Sequence, residues 1–154
     1  MSLSELLKPD AVLPALRVNG KKQALQEMSE RAAAASGLPA REIFDALLQR
    51  ERLGSTGVGD GVAIPHGKLA KCDRIFGVFG RLDRAIDFEA PDGLPVDLIF
   101  MLIAPEAAGA DHLKALATIA RLLRNATIAA QLRATRDPAA LYALLTMAPA
   151  SNAA

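Results

Sequence analysis

The chain has one cysteine, two histidines and few aromatic side chains, which make up only 4% of its 154 residues. A single cysteine, Cys72, excludes an internal disulfide framework and any thiolate metal cluster within one chain, and reads as a reduced thiol near a turn. His66 and His112 stand far apart, with no HExxH or CxxC pairing, so neither a metal site nor a cofactor is expected. An excess of charge of one sign is also missing. Eighteen basic against seventeen acidic residues give a formal net charge of +1, too little to draw nucleic acid or an anionic membrane surface. Basic clusters interleaved with aromatics are absent too, and no nucleic-acid partner is expected. No uncharged apolar stretch approaches the roughly 20 residues of a membrane-spanning helix, so stable membrane insertion is not expected. Met1-Ser2-Leu3-Ser4-Glu5 shows no basic region followed by an apolar segment, and the expected location is the cytoplasm.

What the chain does have is apolar patterning, at 51% hydrophobic residues, over the length of one domain. Leu3 to Val18 reads as a helical turn followed by an extended segment, because Pro9 and Pro14 prevent a long helix. Lys21 to Ala35 reads as a helix, with Leu25, Met28, Ala32 and Ala35 on one face and Gly37 placed to end it. A second helix opens near Pro39, carries the stripe Ile43, Phe44, Leu47 and Leu48, and ends near Leu53-Gly54. Arg74 to Leu82 carries bulky apolar groups on both faces, the mark of a strand in a covered sheet. Ala85 to Phe88 alternates like an edge strand, and Val96 to Ala104 is the strongest buried-strand segment, stopped by Pro105. Asp111 to Leu123 predicts an amphipathic helix burying Leu113, Leu116, Ala117, Ala120 and Leu123, with shorter helices near Ala126 to Arg133 and Asp137 to Thr146. The pattern predicts an α/β fold: a single-domain sandwich with a mixed β-sheet flanked by helices on both faces, over residues 1–147, with 148–154 as a flexible tail.

Gly57, Gly59 and Gly61 recur at every second residue, so in one extended strand they would share a face with Ala63. Such a row marks either a flexible entry turn or a close approach of a helix, a ligand or another backbone. A dinucleotide fingerprint fails at Val62 and lacks the preceding strand, and a phosphate-binding P-loop lacks GK[ST]. The run leads into Ile64-Pro65-His66-Gly67. Ile64 is pushed toward extended geometry by the proline, Pro65 has a fixed φ, and Gly67 can take positive φ where the chain turns away, which would hold His66 at the tip of a strand. A neutral imidazole is a nitrogen nucleophile able to accept a phosphoryl group without a separate base. Phosphoryl transfer then needs a cation and hydrogen-bond donors nearby. Arg50 could supply the guanidinium, Ser55 and Thr56 hydroxyls or a hold on the tautomer, and His112 a neutral ring in the first turn of a helix, where anions are attracted. On these residues alone a structural histidine remains the competing reading, and a serine-hydrolase reading lacks the GxSxG elbow.

Arg50-Glu51, Gly54-Ser55-Thr56-Gly57-Val58-Gly59 and Gly61-Val62-Ala63-Ile64-Pro65-His66-Gly67-Lys68 closely resemble the active-site block of the enzyme IIA proteins of the bacterial phosphoenolpyruvate phosphotransferase system, fructose/mannitol class. Two further blocks, from Ile86-Asp87-Phe88 to Val96-Asp97 and from His112-Leu113-Lys114 to Ile119-Ala120, resemble its nitrogen-regulatory branch, and the likeness runs from about Leu3 to Thr146. The resemblance implies transient phosphorylation of His66, with Arg50 and His112 at the positions that support the phosphoryl group and with Ser55 and Thr56 matching the motif. It implies a nitrogen-type histidine phosphocarrier as donor, fed by an enzyme I and phosphoenolpyruvate. The implied role is a regulatory phosphocarrier that signals to target proteins, such as kinases or potassium transporters, through phosphorylation-dependent binding. The competing roles are a sugar-transport component that passes phosphate to a fructose or mannitol IIB protein, and a binding module without phosphotransfer.

Overall fold

A computed structural model describes residues 2–147; the tail expected at 148–154 lies outside the described residues. Two short 3₁₀ turns, Leu3–Glu5 and Pro9–Ala11, lead into strand β1 (Val12–Leu16), as the two prolines dictate. Helices α1 (Lys21–Ser36) and α2 (Ala40–Arg52) follow. Gly37 closes α1 with φ of 80°, a left-handed cap that favours glycine.

The next strands are β2 (Gly57–Gly59), β3 (Val62–Ala63), β4 (His66–Leu69), β5 (Phe76–Ile86) and β6 (Val96–Pro105). Their order is β1-β5-β6-β3-β2, with β4 also pairing β6. β6 is central: every residue from Leu98 to Ala104 is fully buried, as expected of a strand covered on both sides. β1 runs parallel to β5, β5 antiparallel to β6, and both β3 and β4 parallel to β6, so the sheet is mixed. Helices α3 (Ala110–Leu123), α4 (Ala126–Arg133) and α5 (Pro138–Met147) complete the chain. α1 and α2 pack on each other and against β5 and β4, while α3 reaches β6 and α5 reaches β1. The mixed sheet flanked by helices agrees with the expected α/β class.

Four local expectations are corrected. The glycine row is not one strand: the chain reverses at Asp60 and Gly61, both at positive φ, and β2 pairs antiparallel with β3. Asp-Gly is turn chemistry of the hairpin kind, and it outweighs the alternation of small residues. The segment near Ala85 is no separate edge strand, because Ile86 ends β5 and pairs with Val96 after an irregularity beyond Arg81. His66 does not close a strand but opens one, β4, which runs on through Gly67 to Leu69. Ala63 pairs with Ile99 and His66 with Leu102, so β3 and β4 keep the same register along β6 on either side of Ile64-Pro65, where the proline has no N–H to give. Finally, α3 buries His112, Ala115, Ile119 and Leu123, whereas Leu113 is 66% exposed. The helix is turned by about one residue from the expected stripe, which brings a histidine inward.

Candidate active site

Three chain segments converge around His66. β4 carries the histidine itself. Next to it, Gly67 has no positive φ; its hydrogen faces α2, where an added Cβ would lie 3.1 Å from the Cβ of Ala46 and 3.2 Å from its carbonyl carbon. Glycine is needed here for close helix–strand contact, which seats the last turn of α2, and Arg50 with it, beside the imidazole. The third segment is the start of α3, which brings the His112 ring within 5.5 Å of the His66 ring, centroid to centroid.

His66 is half-buried, and its Nδ1 lies 2.8 Å from the carbonyl oxygen of Ile64. A carbonyl only accepts, so Nδ1 carries the proton in the neutral ring and Nε2 keeps its lone pair. Burial lowers the His66 pKa from its ordinary value; the Ile64 bond opposes this, the cations of Arg50 and Lys68 add to it, and Glu51 works against it. The result is a ring held neutral in one tautomer, with a nucleophilic nitrogen on the side away from Ile64.

His112 is only 5% exposed, and its Nδ1 is buried with no hydrogen-bond partner among the described residues. Its pKa is lowered to about 4, first by burial and then by His66 and Lys68. A neutral ring costs least with its proton on Nε2, since a buried N–H without an acceptor is harder to accommodate than a buried lone pair.

Arg50 donates from Nη1 to the carbonyl of Gly54, 2.9 Å away, which fastens the guanidinium across the end of α2. The Ser55 and Thr56 hydroxyls, in contrast, are engaged inside the fold. Ser55 Oγ donates to the Phe88 carbonyl at 2.6 Å and accepts from the Gly57 N–H at 3.0 Å. The Thr56 hydroxyl donates to Glu51. Both residues thus shape the loop beneath the histidine, and neither hydroxyl proton is free for a ligand in this form.

Two neighbours received no role from the sequence. Lys68 sits two residues beyond His66 in the same strand, hence on the same face, and its charge bears on both histidines. Glu51 continues the stripe Ile43, Leu47 by one more turn of α2 and is buried with them. Strand alternation and helix period were the signals for these two positions. Among the described residues no group of histidine, cysteine and acidic side chains has the makings of a metal site, and no helix is long and apolar enough to cross a membrane.

A neutral, oriented imidazole beside a second neutral imidazole and a guanidinium is chemistry suited to carrying a phosphoryl group. Residues 5–148 match the family model described as "Phosphoenolpyruvate-dependent sugar phosphotransferase system, EIIA 2", and the chain belongs to that family of phosphotransfer proteins. It is 61% identical over 153 residues to a nitrogen regulatory protein of Bradyrhizobium diazoefficiens, across 99% of this chain and all of that one. A nitrogen regulatory protein of Escherichia coli is 41% identical over 147 residues, covering 95% of this chain and 90% of the relative. The crystal structure of nitrogen regulatory protein IIA-Ntr from Neisseria meningitidis superposes with a TM-score of 0.88 at 36% identity, covering 93% of this chain and 98% of that one. The resemblance to the nitrogen-regulatory branch is thereby upheld.

Proposed function

We propose that the chain is a regulatory phosphocarrier in which Nε2 of His66 accepts a phosphoryl group from a histidine-phosphorylated carrier protein of the nitrogen type. The observation that carries this reading is the Nδ1–H bond to Ile64, which leaves Nε2 as the lone-pair nitrogen of a half-exposed ring. In the transfer, the N–P bond of the donor breaks as the Nε2–P bond of His66 forms. The bonding electron pair returns to the donor imidazole, so no outside base is required. Arg50 then neutralises charge on the equatorial oxygens, and the Nε2–H of His112 donates to one of them as charge accumulates. Lys68 adds a second cation on the same side of β4.

The output is protein contact rather than further chemistry. A phosphoryl group adds negative charge among Arg50, Lys68 and the two histidines, and so alters the surface that target proteins, such as kinases or potassium transporters, meet in the cytoplasm. Exposed Leu53 and Leu113 belong to the segments that carry Arg50 and His112, and give this surface an apolar element for a protein partner. The reading is tested by loading the protein with phosphate and offering it a fructose or mannitol IIB protein or candidate targets. Binding to a target that changes with phosphorylation supports the regulatory role; rapid transfer to the IIB protein makes the chain a transport component instead.

A further inference from the structure

Glu51 is an unusual acid. Its side chain is 3% exposed, and it lies in the last turn of α2, where the helix dipole disfavours negative charge. Lys21 meets it, with Nζ 3.0 Å from Oε2 and a second bond of 2.9 Å to the more exposed Glu89. Burial alone pulls the Lys21 ammonium down, but the Glu89 and Glu51 carboxylates together hold it above its ordinary range. So buried an ion pair adds little net stability, and its consequence lies in what it holds in place.

What Glu51 holds is the peptide of Thr56. Both carboxylate oxygens lie 3.2 Å from the Thr56 N–H, and Oε1 also accepts the Thr56 hydroxyl. The Thr56 carbonyl in turn accepts the Ile64 N–H at 3.0 Å, and the Ile64 carbonyl accepts Nδ1–H of His66 at 2.8 Å. Every bond in this series donates in the same direction, from the imidazole toward the carboxylate. The series crosses the α-carbons of Ile64 and Thr56, since the C=O and N–H of one residue belong to different peptide groups, so what it carries from Glu51 to His66 is position.

We propose that Glu51, held by its ion pair with Lys21, is a positioning residue for His66 that fixes its Nδ1–H tautomer through the backbone of Thr56 and Ile64. This rests on the reading of His66 as the phosphoryl acceptor. By anchoring Thr56 it sets where the Ile64 carbonyl meets Nδ1, and its charge, acting on His66 through space, stabilises the imidazole ring as it gains positive character on phosphorylation.

The test uses ¹⁵N NMR of His66 in the unphosphorylated full chain, which needs no donor protein, together with the rate of phosphorylation. In Glu51→Gln the Nδ1–H population should fall, the His66 titration midpoint should move to lower pH because an anion has been removed, and phosphorylation should slow by roughly tenfold. Thr56→Val keeps the side-chain volume and both peptide bonds but removes the hydroxyl. It should move the same signals in the same direction by less, and it serves if Glu51→Gln does not fold. Folded variants whose His66 nitrogen shifts and midpoint match the wild type overturn the proposal, even if their rates fall. If the wild type takes up no phosphate while the tautomer responds to Glu51→Gln, the fault lies with the function assigned to His66 and not with this coupling.

Discussion

The rings of His66 and His112 lie 5.5 Å apart and tilted by 55°, although one begins a strand and the other occupies the first turn of a helix. Each ring contributes to the other's environment. Burial comes first in lowering both pKa values, and the closeness of His66 lowers that of His112 further. The pair therefore stays uncharged where a doubly protonated pair would repel, and an uncharged His66 is the form that can attack phosphorus.

His112 makes stability depend on pH in a definite window. Its folded pKa of about 4 lies below its ordinary value of 6.5, so the unfolded chain takes up a proton that the folded chain resists. The associated stability is present in full above the unfolded value, falls as pH drops from 6.5 toward about 4, and is then exhausted. The loss approaches about 3 kcal/mol over that window. Urea midpoints measured across it should fall more steeply for the wild type than for His112→Gln. Parallel slopes would show that His112 is not held neutral by the fold.

Removing the Arg50 cation should raise the titration midpoint of His66, since that charge lowers it. Arg50→Gln should also slow phosphorylation by roughly a hundredfold, the order seen when one oriented donor is removed from a transition state. Its bond to the Gly54 carbonyl is exposed, so unfolding stability should change by less than about 1 kcal/mol. Rapid-quench transfer kinetics and NMR titration check both parts, and unchanged kinetics would remove Arg50 from the site.

Gly67 links fold to site. A methyl group here would press on Ala46 at 3.1 Å, and both neighbours are backbone-proximal, so α2 must shift from β4. Gly67→Ala should cost about 1–3 kcal/mol of stability and should slow transfer beyond what the loss of folded protein explains, because Arg50 moves with α2. A stable variant with wild-type transfer would show that this spacing is not critical.

Leu113 is 66% exposed beside the buried His112. Leu113→Asp should leave stability within about 0.5 kcal/mol and raise KM for the phosphorylated donor with kcat little changed. A fall in kcat alone would mean that the leucine acts on chemistry and not on docking.

Much of this arrangement is legible in the residues. β6 announces itself by the unbroken apolar run from Leu98 to Ala104, α1 and α2 by their periodicity, and the Pro-His-Gly segment by its stiffness. What stays hidden depends on choices made in three dimensions. The α3 pattern offers Leu113 and His112 on adjacent faces, and hydrophobicity favours burying the leucine; packing against β6 buries the histidine instead. Gly67 reads as a turn residue until the backbone of Ala46 is seen against it. Ser55 and Thr56 read as free hydroxyls because their partners Phe88 and Glu51 are fixed only by the fold. Lys68 and Glu51 are visible from strand alternation and helix period, but no local rule ties either to an imidazole.

The proposed phosphoryl acceptor is Nε2 of His66. Intact mass after incubation with phosphoenolpyruvate, an enzyme I and a histidine phosphocarrier tests it most directly, with NMR of the product to assign the nitrogen. The wild type should gain a single phosphate, labile to acid and stable to mild base, attached at Nε2 and absent from His66→Ala. No gain in the wild type, or a gain that persists in His66→Ala, would contradict it.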